Sequence, residues 1–173
     1  MQSAKQGNVS MRDLPSGLDI PSFKVGIIGC GQVGTVILTK LLEVREQFHN
    51  LSLIVSTRQP HLLRPFQKDF GVECVFDNQK VAAESDMIFL CLLPSQAQEV
   101  LKDIREVIKD RVNESKKDRT LINPLIVSCC AGVAVQKLKL MLSDKAVFLR
   151  TNIQVPVVKE YLLQTEAAVQ QQR

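Results

Sequence analysis

Three glycines stand at the spacing Gly29-x-Gly31-x-x-Gly34, with Gln32 and Val33 between the last two. A short apolar run, with Phe23, Val25, Ile27 and Ile28, leads into them. After them Val33, Val36, Ile37, Leu38, Leu41, Leu42 and Val44 recur largely at three- and four-residue spacings, as a helix buried on one face requires. A strand, a glycine turn and a helix in that order can grip a pyrophosphate. Gly29 permits the tight turn. Gly31 removes a side chain where backbone must approach phosphate, and Gly34 lets the helix pack closely on the strand. The unpaired N–H groups and the positive dipole end at the helix start, around Gln32, Val33 and Gly34, then meet the anion. Glycines also mark ordinary turns; the flanking patterns separate this turn from those.

A dinucleotide site also needs a group at the end of the next strand to read the adenosine ribose. Leu51 to Val55 is apolar and partly β-branched, and it runs into Ser56-Thr57-Arg58, about 24 residues beyond Gly34. An NAD site normally carries Asp or Glu here for the ribose 2′-hydroxyl. This chain carries two hydroxyls and a guanidinium instead. A carboxylate would repel a 2′-phosphate, whereas Arg58 can pair with one through two N–H bonds and Ser56 and Thr57 can donate further ones. The expected cofactor is NADP(H) in preference to NAD(H).

The 173 residues are enough for one domain, and 45% of them are hydrophobic, enough for a real core. Tryptophan is absent and Tyr161 is the only tyrosine, so a stacking platform for nucleic acid is not expected. The net charge of +4 is mild, and the most basic stretch, Lys109 to Arg119, is interleaved with Asp110, Glu114 and Asp118. It reads as a solvated helix end and loop. The longest apolar run, Met87 to Leu93, has the length of a strand and not of a membrane span. Residues 1–22 read as a flexible polar leader without the apolar core of a signal peptide. The five cysteines form no CxxC pair, which points to a reducing compartment, the cytoplasm. Cys74, Cys91, Cys129 and Cys130 read as small core residues. Cys30, inside the glycine turn, is placed where the helix dipole would affect its reactivity. His49 and His61 read as surface residues, and no metal site is expected.

The remaining elements must bring these residues to one place. Pro60 to Phe70 has a helix-compatible apolar face interrupted by Pro65. Gly71 to Phe76 reads as a third strand, and Asp77 as the N-cap of a short helix through Glu84. Met87 to Leu92 suits a central parallel strand covered on both faces. Pro94 ends it, and Ser95 is the expected N-cap of a helix that buries Ala97, Val100, Leu101, Ile104 and Ile108. Leu125 to Cys129 is a fifth strand with a tight exit at Ala131-Gly132-Val133, Val135 to Leu142 a helix and Val147 to Leu149 a sixth strand. This rhythm predicts an α/β fold, a doubly wound parallel sheet with helices on both faces. Ligands on such sheets bind beyond the carboxyl ends of the strands. That rim would carry Gly29 to Gly34, Ser56 to Arg58, Pro94 and Gly132.

Together these motifs resemble the nucleotide-binding half of the pyrroline-5-carboxylate reductase family. The resemblance rests on Gly26 to Gly34, Ser56 to Arg58, Ser85 to Gln96 and Ile126 to Val133, with Thr151-Asn152 where the family carries a threonine- or proline-asparagine-threonine-proline stretch. It implies a Rossmann-type NADP-binding domain over residues 23–156. It also implies that a helical dimerisation domain begins at residues 157–173, whose apolar residues include Tyr161, Leu162 and Leu163. Hydride would pass to the carbon of a C=N bond in a small, imine-like substrate. Pro94 and Gly132 would flank the nicotinamide, Asn152 would orient the substrate, and a homodimer is expected if the longer chain carries the helical domain. Leu93 replaces the family's frequent lysine, and Ile153-Gln154 replaces its threonine-proline. These departures leave two alternatives open, a non-catalytic NADP-binding sensor or scaffold and a truncated chain without activity of its own. No residue declares itself as an acid, base or nucleophile.

Overall fold

A computed structural model describes residues 22–48, 50–118, 120–153 and 160. The expected leader, all of it except Ser22, and the expected C-terminal helix, all of it except Glu160, fall outside these residues, as does His49. Six strands form one sheet: β1 (Phe23–Ile28), β2 (Leu51–Ser56), β3 (Glu73–Val75), β4 (Met87–Leu90), β5 (Leu125–Ser128) and β6 (Val147–Arg150). Their order is β3-β2-β1-β4-β5-β6 and every pairing is parallel. This is the Rossmann order, with the reversal between β1 and β4.

Five α-helices connect the strands: α1 (Gln32–Arg45), α2 (Arg64–Phe70), α3 (Asn78–Glu84), α4 (Pro94–Lys117) and α5 (Val135–Met141). Strand alternation sends side chains to opposite faces, and two cores result. On one face Val25, Ile27, Leu53 and Val55 pack with Leu38 of α1 and with Leu63 at the start of α2. On the other, Ile28, Ile54, Ile88, Leu90 and Ile126 pack with Val81 of α3, the apolar stripe of α4 and Leu138 of α5. Helices therefore cover both faces, as the rhythm of the sequence predicts. At the outer edge β6 leaves Val147 and Leu149 exposed.

Several boundaries differ from expectation for local reasons. Pro65 does not interrupt a helix. Pro60–Leu62 forms a 3-10 turn and Pro65 lies in the first turn of α2, where a missing N–H costs nothing. Pro94 likewise opens α4, so Leu93 is its N-cap and Ser95 is already helical. Asp77 caps α3 as expected, its Oδ1 accepting from the N–H groups of Gln79 (2.8 Å) and Lys80 (3.1 Å). The basic stretch from Lys109 is not all solvated. Arg111 is half-buried and its Nη1 donates to the carbonyl of Ala82 (2.9 Å) and to that of Ser85. It completes the C-terminal end of α3, where a cation is favoured.

Candidate functional site

The carboxyl ends of β2, β1, β4, β5 and β6 stand side by side, and each exit carries a residue singled out in the sequence. In that order these are Arg58, the glycine turn, Pro94, Gly132 and Asn152. With strands about 4.8 Å apart, the row extends about 19 Å, enough for a dinucleotide lying across the switch point. Backbone hydrogen bonds tie the exits together. Cys91 N–H donates to Ile28 (2.9 Å), Cys129 N–H to Leu90 (3.0 Å) and Thr151 N–H to Ser128 (3.0 Å).

The three glycines have three different physical reasons. Gly29 has φ of +86°, and a Cβ there would meet the Cys91 carbonyl oxygen at 2.8 Å. A Cβ on Gly34 would meet the Gly29 carbonyl oxygen at 3.0 Å and Ile27 Cγ2 at 3.3 Å, the close packing of α1 on β1. Gly31 is the opposite case. Its φ of −89° suits any residue, and a Cβ there would meet nothing within 4 Å. Among the described residues no atom explains glycine at this position; the space it leaves opens on the N-terminus of α1. That helix starts without a side-chain cap and without an acidic residue in its first turn. Helix geometry leaves the N–H groups of Gln32, Val33 and Gly34 without intrahelical acceptors. A phosphate would fill that cradle and accept from them.

Ser56 takes a different part from the one expected. Its side chain is buried, and its Oγ donates to Asn78 Oδ1 at 2.7 Å. Its carbonyl accepts from the N–H groups of both Gly29 (3.2 Å) and Cys30 (3.1 Å). Ser56 therefore clips the end of β2 to the glycine turn. The Thr57 Oγ1 accepts from Gln59 N–H at 3.1 Å, which leaves its own proton to donate. Arg58 is exposed and its Nη2 donates to Glu99 Oε1 of α4 at 3.2 Å. The two residues line an open cleft of about 550 Å³ together with Asn78, Val100, Lys102 and Asp103. Nothing in the sequence singled out Lys102 or Asp103, nor Glu99, whose contact with Arg58 spans 41 residues.

Four cysteines gather behind the rim. Cys30 is buried, and loss of hydration pushes its thiol up to about 11. It is an inert packing residue despite its place in the glycine turn. Cys91 and Cys129 follow the paired ends of β4 and β5, and their thiols interact. Hydrogen bonding from Cys91 holds Cys129 below the usual thiol range and leaves Cys91 well above it. Burial pushes Cys130 up. Cys91 is partly buried and packs against one core as expected, whereas Cys129, also partly buried, belongs to neither core. The segments that form the rim, residues 29–34, 56–58, 91–96, 129–133 and 151–153, contain no carboxylate, histidine or lysine. Leu93 is exposed there, as are Pro94 and Asn152. Among the described residues no cluster of His, Cys, Asp or Glu could hold a metal, and no helix is long and apolar enough to cross a membrane.

Known proteins resemble this chain in sequence and in fold. A relative from Mus musculus, NADP-dependent oxidoreductase domain-containing protein 1, is 39% identical over 84 residues, covering 47% of this chain and 22% of its own length. Pyrroline-5-carboxylate reductase of Corynebacterium melassecola is 25% identical over 111 residues, 64% of this chain and 37% of that one. The chain thus spans well under half the length of these relatives. Among solved structures, pyrroline-5-carboxylate reductase from Coxiella burnetii superposes with a TM-score of 0.62 at 19% identity, covering 75% of this chain and 43% of that one. The Plasmodium falciparum pyrroline carboxylate reductase, solved with NADP bound, superposes with a TM-score of 0.56 at 19% identity, covering 79% and 44%. These likenesses confirm the fold. The pattern of one family matches residues 24–131, more than half of the chain, and through it the chain belongs to the family described as "NADP oxidoreductase coenzyme F420-dependent".

Proposed function

We propose that this chain binds NADP(H) and forms the cofactor half of a cytoplasmic reductase acting on a small, imine-like molecule. The observation that carries the reading is the empty space at Gly31, facing an uncapped helix start on the same rim as Arg58. In this reading the N–H groups of Gln32, Val33 and Gly34 hold the pyrophosphate. Thr57 and Arg58 hold the 2′-phosphate, while Ser56 positions the turn. Leu93, Pro94 and Gly132 flank the nicotinamide and keep water from it, and Asn152 orients the substrate. When bound, NADPH supplies a hydride; the protein supplies orientation and a dry surface. A cyclic imine is the substrate class that the reductase-like motifs favour, and the longer relatives leave room for a second domain that completes the pocket and pairs two copies.

One observation favours a second reading, a non-catalytic NADP(H) sensor or scaffold. The rim segments supply no carboxylate, histidine or lysine to act as a general acid, and Leu93 presents an apolar side chain beside the nicotinamide position. Binding of NADPH and NADH, measured by nicotinamide fluorescence, and loss of NADPH absorbance with a panel of cyclic imines separate the two. The reductase reading expects tighter NADPH than NADH and turnover of at least one imine by the longest natural chain. Binding without turnover would leave the sensor, and absence of binding would refute both.

A further inference from the structure

Arg58 stands alone in the sequence as the cation at the end of β2, but in the folded chain it has a partner. Its Nη2 donates to Glu99 Oε1 at 3.2 Å, with the two side chains 68% and 73% exposed. Glu99 belongs to the second turn of α4, the helix that follows β4, across β1 from β2. Both residues line the 550 Å³ cleft, with Lys102 as its second cation and Asp103 as its second carboxylate. Asp103 is committed elsewhere: it accepts from Gln79 Nε2 at 2.9 Å and from Asn78 Nδ2 at 3.4 Å, joining α4 to α3. Of the two carboxylates, only Glu99 bonds to the guanidinium.

We propose that Glu99 is a specificity-determining residue that weakens the preference for NADPH by competing with the 2′-phosphate for Arg58. The proposal rests on Arg58 being the 2′-phosphate ligand. A phosphate monoester carries a charge of about −1.5 to −2 near neutral pH. It takes a guanidinium best as a two-bond fork, and the bond to Glu99 ties up an Nη2 N–H that such a fork would use. The Glu99 charge also stays at the mouth of the cleft and repels the phosphate. The ribose 2′-hydroxyl of NADH meets no such conflict, because a neutral hydroxyl can donate to a carboxylate. Glu99 therefore acts against one cofactor and not the other. Both side chains being exposed, the effect is modest and falls with salt.

The test is a double-mutant cycle on the full chain, with Glu99→Gln, Arg58→Ala and the double variant titrated with NADPH and with NADH. Glu99→Gln is expected to tighten NADPH about 2- to 5-fold and to leave NADH unchanged or weaker. The gain should shrink at high salt and be smaller in the Arg58→Ala background, where only the direct repulsion of the phosphate is left. Unchanged or weaker NADPH binding in Glu99→Gln, an equal gain for NADH, or the same gain without Arg58 would each overturn the proposal. If Arg58→Ala weakens NADPH while Glu99→Gln does nothing, only the role of Glu99 falls. If the unmodified chain binds no NADPH, the cofactor reading falls and this one with it. Circular dichroism of each variant checks the fold, which a surface substitution at either position should leave intact.

Discussion

The cysteines show how a single residue's chemistry is set by its surroundings and not by its address. Cys30 occupies the glycine turn beside a helix start, a place where a dipole can lower a thiol pKa. Burial wins instead, and the thiol is pushed up to about 11. Cys129, half-buried at the exit of β5, is held low by its hydrogen bond with Cys91. Limited iodoacetamide treatment at about pH 8 should therefore modify Cys129 before Cys30, Cys91 and Cys130, since the thiolate is the reactive form. Peptide mapping by mass spectrometry checks the order, and early labelling of Cys30 would contradict it. The sequence shows which residues are cysteines; it does not show that Cys91 and Cys129 meet, because that depends on the register of β4 against β5. Ser56 illustrates the same limit. Its hydroxyl type suggested a phosphate donor, but its partner is Asn78, 22 residues away. Arg58 could be singled out because the role proposed for it depends only on being the charged residue just past a strand end.

At the level of the turn and its helix, two glycines three residues apart should respond oppositely to alanine. Gly34→Ala drives a methyl group against the Gly29 carbonyl oxygen at 3.0 Å, a backbone atom that cannot turn aside. It should cost about 1–3 kcal/mol of stability, as overpacking does, and lower Tm. Gly31→Ala adds a methyl group to open space. Its cost should stay within about 1 kcal/mol, the difference between glycine and alanine at an N-cap. NADPH affinity should nevertheless fall about 10- to 100-fold, because the methyl group keeps phosphate from charge-assisted N–H bonds. Thermal melts and NADPH titrations of both variants check the contrast; a Gly31→Ala variant that binds NADPH normally would remove the cradle. Most elements were legible because each has a local signal: Asp77 caps α3, and α4 buries Val100, Leu101, Ile104 and Ile108 at helical spacing. Pro65 and Pro94 were misread because a proline has opposite meanings in the first turn and in the interior, and only the position of the helix start decides. Arg111 was misread because its acceptors lie on α3, remote in sequence.

For the whole molecule, the alternation of strands and helices announced a parallel sheet, but the order of its strands is a long-range property. The chain places β3 beyond β2 and then returns across β1 to lay down β4. That return creates the switch point, and with it two half-sheets joined along β1 and β4. The proposed cofactor would bridge them, with Arg58 past β2 at one end and Gly132 past β5 toward the other. A ligand that contacts both halves of the folded sheet, and nothing so organised in the unfolded chain, must raise the stability of the whole domain by mass action. At a concentration 100 times its dissociation constant, NADPH should add about 2.7 kcal/mol. For a chain of this size that corresponds to a rise in Tm of about 5–10 °C. The rise should grow with the logarithm of NADPH concentration, be smaller for NADH at equal concentration, and fall to about 0.4–1.4 kcal/mol of stabilisation in Gly31→Ala at the same NADPH concentration. Differential scanning fluorimetry over a cofactor series measures it directly. A Tm that ignores NADPH across that series would mean that the rim, although shaped for a dinucleotide, does not bind one.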